Sequence, residues 1–297
     1  MNSKKIKPVV KWAGGKGQLI SEIQKHYPSE LGKTIKKYAE PFVGGGAVLF
    51  DILSNYELDE VYISDINAEL INTYCQIRDN VDNLIILLEK YEEEYSSLDG
   101  EARKAYYYEK RNHFNKLKKE NIQNINLAAL FIFINRTCFN GLYRVNKAGE
   151  YNVPIGSYKK PTICDVDNLK KVSKAFSHVS ILCGDYRMST DFIDAHTFVY
   201  FDPPYRPLNI TSNFTSYTKN DFSDEDQKEL AAYIKKLSNR GSHIVVSNSD
   251  PKNTDSEDNF FDFLYSEFKI ERIYASRMIN SNAGSRGKIT ELLISNF

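Results

Sequence analysis

Residues 37–67 read KYAEPFVGGGAVLFDILSNYELDEVYISDIN. Lys37–Phe42 has the character of a short strand, Gly44-Gly45-Gly46 form a turn, and Ala47–Leu53 continues as a helix. Glu60–Ser64 reads as a second strand, ending at Asp65. A β-turn-α-β unit of this kind belongs to a parallel sheet covered by helices. Glycines without Cβ let a backbone pass close to a bound nucleoside, and the helix behind them aims its N-terminus at the same place. The turn is not GxGxxG, so it carries no dinucleotide fingerprint. Asp65 stands 19 positions past Gly46, where a strand-end carboxylate grips ribose hydroxyls in doubly wound sheets. A tight turn and a strand-ending acid would explain the same residues without a ligand.

The same pattern resumes towards the C-terminus. Val179–Cys183 reads as a strand followed by Asp185, and Thr197–Phe201 as a strand ending at Asp202. Asp224–Ser238 is helical behind Ser223 as N-cap, and His243–Ser247 and Thr290–Ile294 are further strands. Between the halves, residues 68–134 are polar, with Leu84, Leu87, Leu88 and Tyr91 at helical spacing. Asn135–Gly156, punctuated by Gly141, Asn146, Gly149 and Pro154, reads as an irregular hairpin or loop. The expectation is one α/β sheet of Rossmann-like kind interrupted by a mainly helical insertion. Residues 1–67 and 165–297 would form the sheet domain, and residues 68–164 the insertion.

Composition bounds the function. The 297 residues carry 39 Lys plus Arg and 39 Asp plus Glu, with 41% hydrophobic residues, which excludes a largely disordered chain. The longest apolar run, near Leu127–Ile134, is far short of a bilayer span, and no secretory leader is read in the first residues. Cys75, Cys138, Cys164 and Cys183 are widely spaced without CxxC, which fits reduced cytosolic thiols and neither a disulfide framework nor a zinc site. No metal is expected. His113 on a charged helix and His243 entering a strand read as surface or packing residues. The zero net charge hides asymmetry: residues 1–37 hold nine lysines against two glutamates, whereas residues 250–271 hold seven acids against two lysines. Residues 101–120 and 135–160 are also basic. Solvated helix faces would account for this, and so would a footprint for a polyanion.

Two further stretches carry chemistry. Asp202-Pro203-Pro204-Tyr205 follows the apolar run Phe198–Phe201. Two prolines can simply stop a strand. They also hold the backbone stiffly where ligands bind in such sheets. The Asp202 carboxylate and the Pro203 carbonyl could then both accept hydrogen bonds from one NH₂ group, with Tyr205 stacked on the ring that bears it. An exocyclic amine is a poor nucleophile because its lone pair is delocalised. Two acceptors favour a pyramidal nitrogen and aim the lone pair, which is catalysis by positioning and fixed dipoles, with no histidine required. Lys11-Trp12-Ala13-Gly14-Gly15-Lys16 suits phosphate or carboxylate, though it lacks the P-loop pattern and could be an ordinary basic loop.

Taken in order, KWAGGK, EPFVGGGAV, SDIN, NRTCFNGLYRVNKAGEYNVPIG, GDY, DPPY and NFTSY closely resemble the adenine-N6 DNA methyltransferases of the Dam type, the D12 class within the alpha group of amino-methyltransferases. The resemblance runs from Val10 to Ser295. It implies S-adenosylmethionine as methyl donor, duplex DNA as partner and GATC as target, in a cytoplasmic, nucleoid-associated monomer. Trp12 and Lys16 fall on cofactor-binding positions, and Phe42–Gly46, including Gly44, matches the segment around the methionine moiety. Asp65 matches the ribose-binding acid, Ile66 its neighbour against the adenine, and Asp185 and Tyr186 a motif beside that adenine. Asp202, Pro203 and Tyr205 match the catalytic tetrad that receives a flipped base, with Asp202 also reaching the cofactor. Phe139, Asn140, Leu142, Arg144 and Pro154 fall on hairpin positions that enter DNA. Phe139 resembles a wedge and Arg144 a guanine reader, while Lys11 resembles a second base-contacting residue. A cytosine-N4 or RNA amino-methyltransferase, or a DNA-binding regulator without turnover, are the competing readings.

Overall fold

Five parallel strands form the frame: β1 (Lys37–Glu40), β2 (Glu60–Asp65), β3 (Val179–Cys183), β4 (Thr197–Phe201) and β5 (His243–Ser249). The antiparallel pair β6 (Lys269–Ser276) and β7 (Lys288–Ser295) completes a sheet of order β3-β2-β1-β4-β5-β7-β6. The computed structural model describes residues 5–206, 222–276 and 288–297. The NFTSY stretch at 213–217 lies outside the described residues.

The central strands are buried on both faces, which is why they read as continuous apolar runs; all five residues of β4 are buried. Period-two alternation sorts their side chains. Tyr38, Ile63, Phe198, Tyr200 and Val245 enter one core, while Ala39, Tyr62, Val199, Phe201, Ile244 and Val246 enter the other. Ala39 pairs with both Tyr62 and Val199, so β1 lies between β2 and β4.

The helices are α1 (Ile20–Ile23), α2 (Ala47–Asn55), α3 (Ala68–Asp79), α4 (Val81–Ser97), α5 (Gly100–Lys119), α6 (Ile125–Thr137), α7 (Val166–Phe176), α8 (Asp224–Ser238) and α9 (Phe260–Leu264). Their starts follow local chemistry. Ser223 and Asp226 form a reciprocal capping box on α8, and Asn67, Asn124 and Asp165 cap α3, α6 and α7 with side-chain oxygens. The apolar run Leu127–Ile134 is entirely buried within α6, the centre of the helical layer. None of the described helices is long and apolar enough to cross a membrane.

The first core runs without a break from the sheet into the helices of residues 68–164. Tyr74 of α3 packs edge-on against Phe50 of α2 and Phe176 of α7, and its hydroxyl donates to the Gly44 carbonyl at 2.7 Å. The segment 135–156 is an irregular hairpin held by isolated antiparallel bridges, Cys138 with Ile155 and Val145 with Tyr151. His113 is exposed on α5, and His243 packs edge-on against Phe297. Helices α1, α7 and α9 and strand β6 were not anticipated. Leu169, Val172 and Phe176 do show helical spacing in α7, whereas the charged edge strand β6 buries little and carries a weak signal.

Candidate active site

The strand order reverses between β1 and β4, and open α/β sheets bind ligands at the carboxyl ends of strands beside such a switch. Phe42, Asp65, Asp185 and Asp202 all lie just beyond or at the carboxyl ends of β1, β2, β3 and β4.

On the β2 side, Asp65 is fixed by its own backbone surroundings. The Gly44 amide donates to Asp65 Oδ2 at 3.0 Å, and the Asn67 amide donates to Oδ1 at 2.9 Å. Burial pushes its carboxyl above the usual range, and the amides of Asn67, Gly44 and Ile66 pull it back. Ile66 beside it is 54% exposed, an open apolar surface next to an oriented carboxylate. Gly44 has φ +45°, and a Cβ there would come within 2.9 Å of the Trp12 indole. Glycine is therefore required by both conformation and contact. Phe42 stacks on Tyr186 with centroids 5.4 Å apart. Tyr186 is buried with its hydroxyl unpartnered among the described residues, and Asp185 caps the following turn and pairs with Arg187. A carboxylate for hydroxyls, an exposed aliphatic face and a close-approach glycine turn fit the nucleoside part of S-adenosylmethionine.

On the β4 side, Lys16 reaches the tetrad. Its Nζ lies 2.8 Å from Asp202 Oδ1 and 4.5 Å from the centre of the Tyr205 ring, and it donates to the Gly14 carbonyl. Lys16 is 4% exposed, so the charge is paired where water is scarce. Ser247 Oγ also donates to Asp202 Oδ1 at 2.8 Å. The Tyr205 hydroxyl donates to Glu291 at 2.6 Å; burial first, then Asp202 and Glu291, hold that phenol well above its usual range. Glu40 is buried close enough to feel both Asp202 and Lys16; burial pushes its carboxyl well up, against the hydrogen bond donated by Tyr38. Beyond the tetrad, Arg206 pairs with Asp224 and Asp258.

The hairpin meets the N-terminal loop. Asn135 accepts from the Lys11 amide at 2.8 Å and donates to the carbonyls of Lys11 and Gly141. Lys11 thereby sits beside Phe139 and Asn140, which are exposed; Asn140 has φ +55°. A Cβ on Gly141 would strike the Lys11 side chain. Pro154 is exposed, and its carbonyl accepts the Phe139 amide. Arg144 is farther along, its Nε donating to Asn152 at 2.8 Å. Leu142 is half-buried. Sequence reasoning overlooked Tyr158, whose ring lies 4.4 Å beneath Lys11 Nζ, and Tyr143, which stacks on Trp12 at 5.5 Å. Tyr158 follows the hairpin by only two residues past Gly156, a signal that was available; Tyr143 had none.

Asp65 and Asp202 lie at the carboxyl ends of their strands, and Asn135 ties the loop of Lys11 and Lys16 to the hairpin. Comparison with known proteins gives the family of the chain. The model of the D12 class N6 adenine-specific DNA methyltransferases matches residues 12–279. A type II methyltransferase of Methanocaldococcus jannaschii, M.MjaIII, is 52% identical over 98% of this chain and 99% of its own. M1.LlaDCHI of Lactococcus lactis subsp. cremoris, another type II methyltransferase, is 37% identical over 100% of this chain and 97% of its own. The DNA adenine methylase of Escherichia coli K12 is 34% identical over 98% and 95%. With matches spanning nearly its whole length, this chain belongs to the D12 class of N6 adenine-specific DNA methyltransferases.

Proposed function

We propose that the protein transfers a methyl group from S-adenosylmethionine to N6 of an adenine flipped out of duplex DNA, within GATC. The observation that carries the chemistry is Asp202 at the switch point, with Oδ1 already bonded and Oδ2 without a partner among the described residues. Asp202 Oδ2 and the Pro203 carbonyl receive the two amine hydrogens, and the Tyr205 ring stacks on the base. Bound S-adenosylmethionine supplies an electrophilic methyl carbon. With the cofactor bound, Asp202 Oδ2 or water would take up the proton that the amine gives up. Trp12, Lys16, Phe42, Gly44, Asp65, Ile66, Asp185, Tyr186 and Asp202 hold the cofactor in this reading.

Base flipping requires the opened step to be held. Phe139, 51% exposed at the hairpin base, has the apolar character of a wedge. Lys11, Asn140, Leu142, Arg144 and Pro154 complete the DNA surface, with residues 68–164 as the recognition part and 1–67 with 165–297 as the catalytic part. The protein works as a cytoplasmic monomer on DNA, without a metal. GATC rests on the resemblance of the hairpin segment.

Single-molecule sequencing of DNA from cells expressing the protein reports methylated base and motif together. N6-methyladenine within GATC is expected; N4-methylcytosine, or no modification, would favour the competing readings. Asp65→Ala and Trp12→Ala are each expected to weaken binding of the cofactor product, measured by calorimetry, while leaving the recognised sequence unchanged. Unchanged affinity in both would place the cofactor elsewhere. If Arg144 reads guanine, Arg144→Ala loses about 1–3 kcal/mol at one base pair and relaxes preference there. Lys147→Ala, at the exposed hairpin tip, instead weakens binding to all sequences and lowers the salt slope by about one unit. Methylation kinetics on GATC duplexes and their single-base variants at two salt concentrations separate these outcomes.

A further inference from the structure

We propose that Ser247, backed by Tyr200, is a positioning residue that decides which oxygen of Asp202 receives the target amine; this rests on methyl transfer at the tetrad. A free carboxylate could offer either oxygen, and rotation would exchange them. Here Oδ1 is taken twice, by Lys16 Nζ and by Ser247 Oγ, each at 2.8 Å. The Tyr200 hydroxyl donates to Ser247 Oγ at 3.0 Å, which commits the serine's own proton to Asp202. Tyr200 and Ser247 are both buried, so water does not compete for these bonds. The sheet sets this geometry. Phe201 on β4 pairs in register with Val246 on β5, and the next residue of each strand is Asp202 and Ser247.

The backbone acceptors are sorted in the same way. Buried Gln227 donates Nε2 to the Pro204 carbonyl at 3.1 Å, and Asn248 donates to Gln227 Oε1. Among the described residues no donor reaches Asp202 Oδ2 or the Pro203 carbonyl, the two acceptors nearest the stop of β4. Two open acceptors match the two hydrogens of one primary amine. Closing the others removes the alternative poses in which the nitrogen lone pair would point away from the methyl carbon.

The test compares wild type with Ser247→Ala, Ser247→Thr and Tyr200→Phe in single-turnover methylation of unmethylated duplex, alongside KM for DNA and calorimetric affinity for the cofactor product. Ser247→Ala is expected to slow the single-turnover step roughly tenfold, the scale of one hydrogen bond to an ionised group. KM and cofactor affinity stay near wild type. Ser247→Thr, which keeps the hydroxyl on a strand that tolerates β-branching, restores most of the rate. Tyr200→Phe shows a smaller loss of the same kind. Wild-type speed in Ser247→Ala overturns the assignment. So does a loss shared equally by KM and cofactor affinity that threonine does not rescue, because that is a folding effect. A wild-type chain that methylates no adenine overturns the methyl-transfer reading itself, and this assignment with it.

Discussion

Asp202→Ala is expected to lower single-turnover methyl transfer by about 3–4 kcal/mol in barrier, roughly 10²–10³ in rate, the scale of removing one preorganised polar group from a reacting centre. The substitution removes the acceptor Oδ2 and also strips Lys16 Nζ and Ser247 Oγ of their shared partner. Lys16, 4% exposed, is then left as a poorly solvated charge held by the Gly14 carbonyl and the face of Tyr205. A modest fall in thermal midpoint follows from that. Duplex binding should largely survive, because Lys11 and Arg144 hold Tyr158 and Asn152 rather than Asp202. The measurement is single-turnover transfer of labelled methyl groups, with duplex affinity measured in parallel. A near-normal rate would remove Asp202 from the chemistry.

The second large effect is on stability. Glu69 opens α3, Lys118 ends α5 and Tyr143 lies in the hairpin, and all three meet: Lys118 Nζ is 2.8 Å from Glu69 Oε1 and from the Tyr143 hydroxyl, which itself donates to Glu69 Oε2 at 3.0 Å. Lys118→Met leaves the Glu69 carboxylate, 9% exposed, with only the Tyr143 hydroxyl as partner among the described residues. The expected loss is about 2–3 kcal/mol, somewhat below that of a fully buried pair, because the Lys118 side chain keeps 22% of its surface in water. Urea unfolding should show a lower midpoint at unchanged slope. The double variant with Glu69→Gln should recover part of the loss, because the orphaned charge is gone. An unchanged midpoint in the single variant would show that Glu69 is satisfied without Lys118.

Glu69, Lys118 and Tyr143 show where sequence reading stops. In the chain Glu69 is an acid in the first turn of a helix, Lys118 belongs to a basic run, and Tyr143 is one of 20 tyrosines. Nothing local marks them as partners, because 74 residues separate Glu69 from Tyr143. Lys16 is similar. Motif matching set it among the cofactor positions, whereas the folded chain also carries its ammonium onto Asp202 and Tyr205.

The amino-acid sequence by itself determined the order of strands β1 to β5 and β7 with helices α2 and α8, the turn at Gly44–Gly46, the stop at Asp202-Pro203-Pro204-Tyr205 and the membership in a D12-type family. These are local matters: period-two and helical apolar spacing, glycine conformation and proline rigidity act over a few residues, so a short window contains the whole cause. Only the tertiary structure decided which oxygen of Asp202 stays open, that Asn135 ties the Lys11 loop to the hairpin, and that one hydrophobic core joins the helices of residues 68–164 to the sheet. Those outcomes depend on strand register and on contacts between residues distant in the chain. Their geometry exists only once the cost of closing the intervening loops has been met by packing.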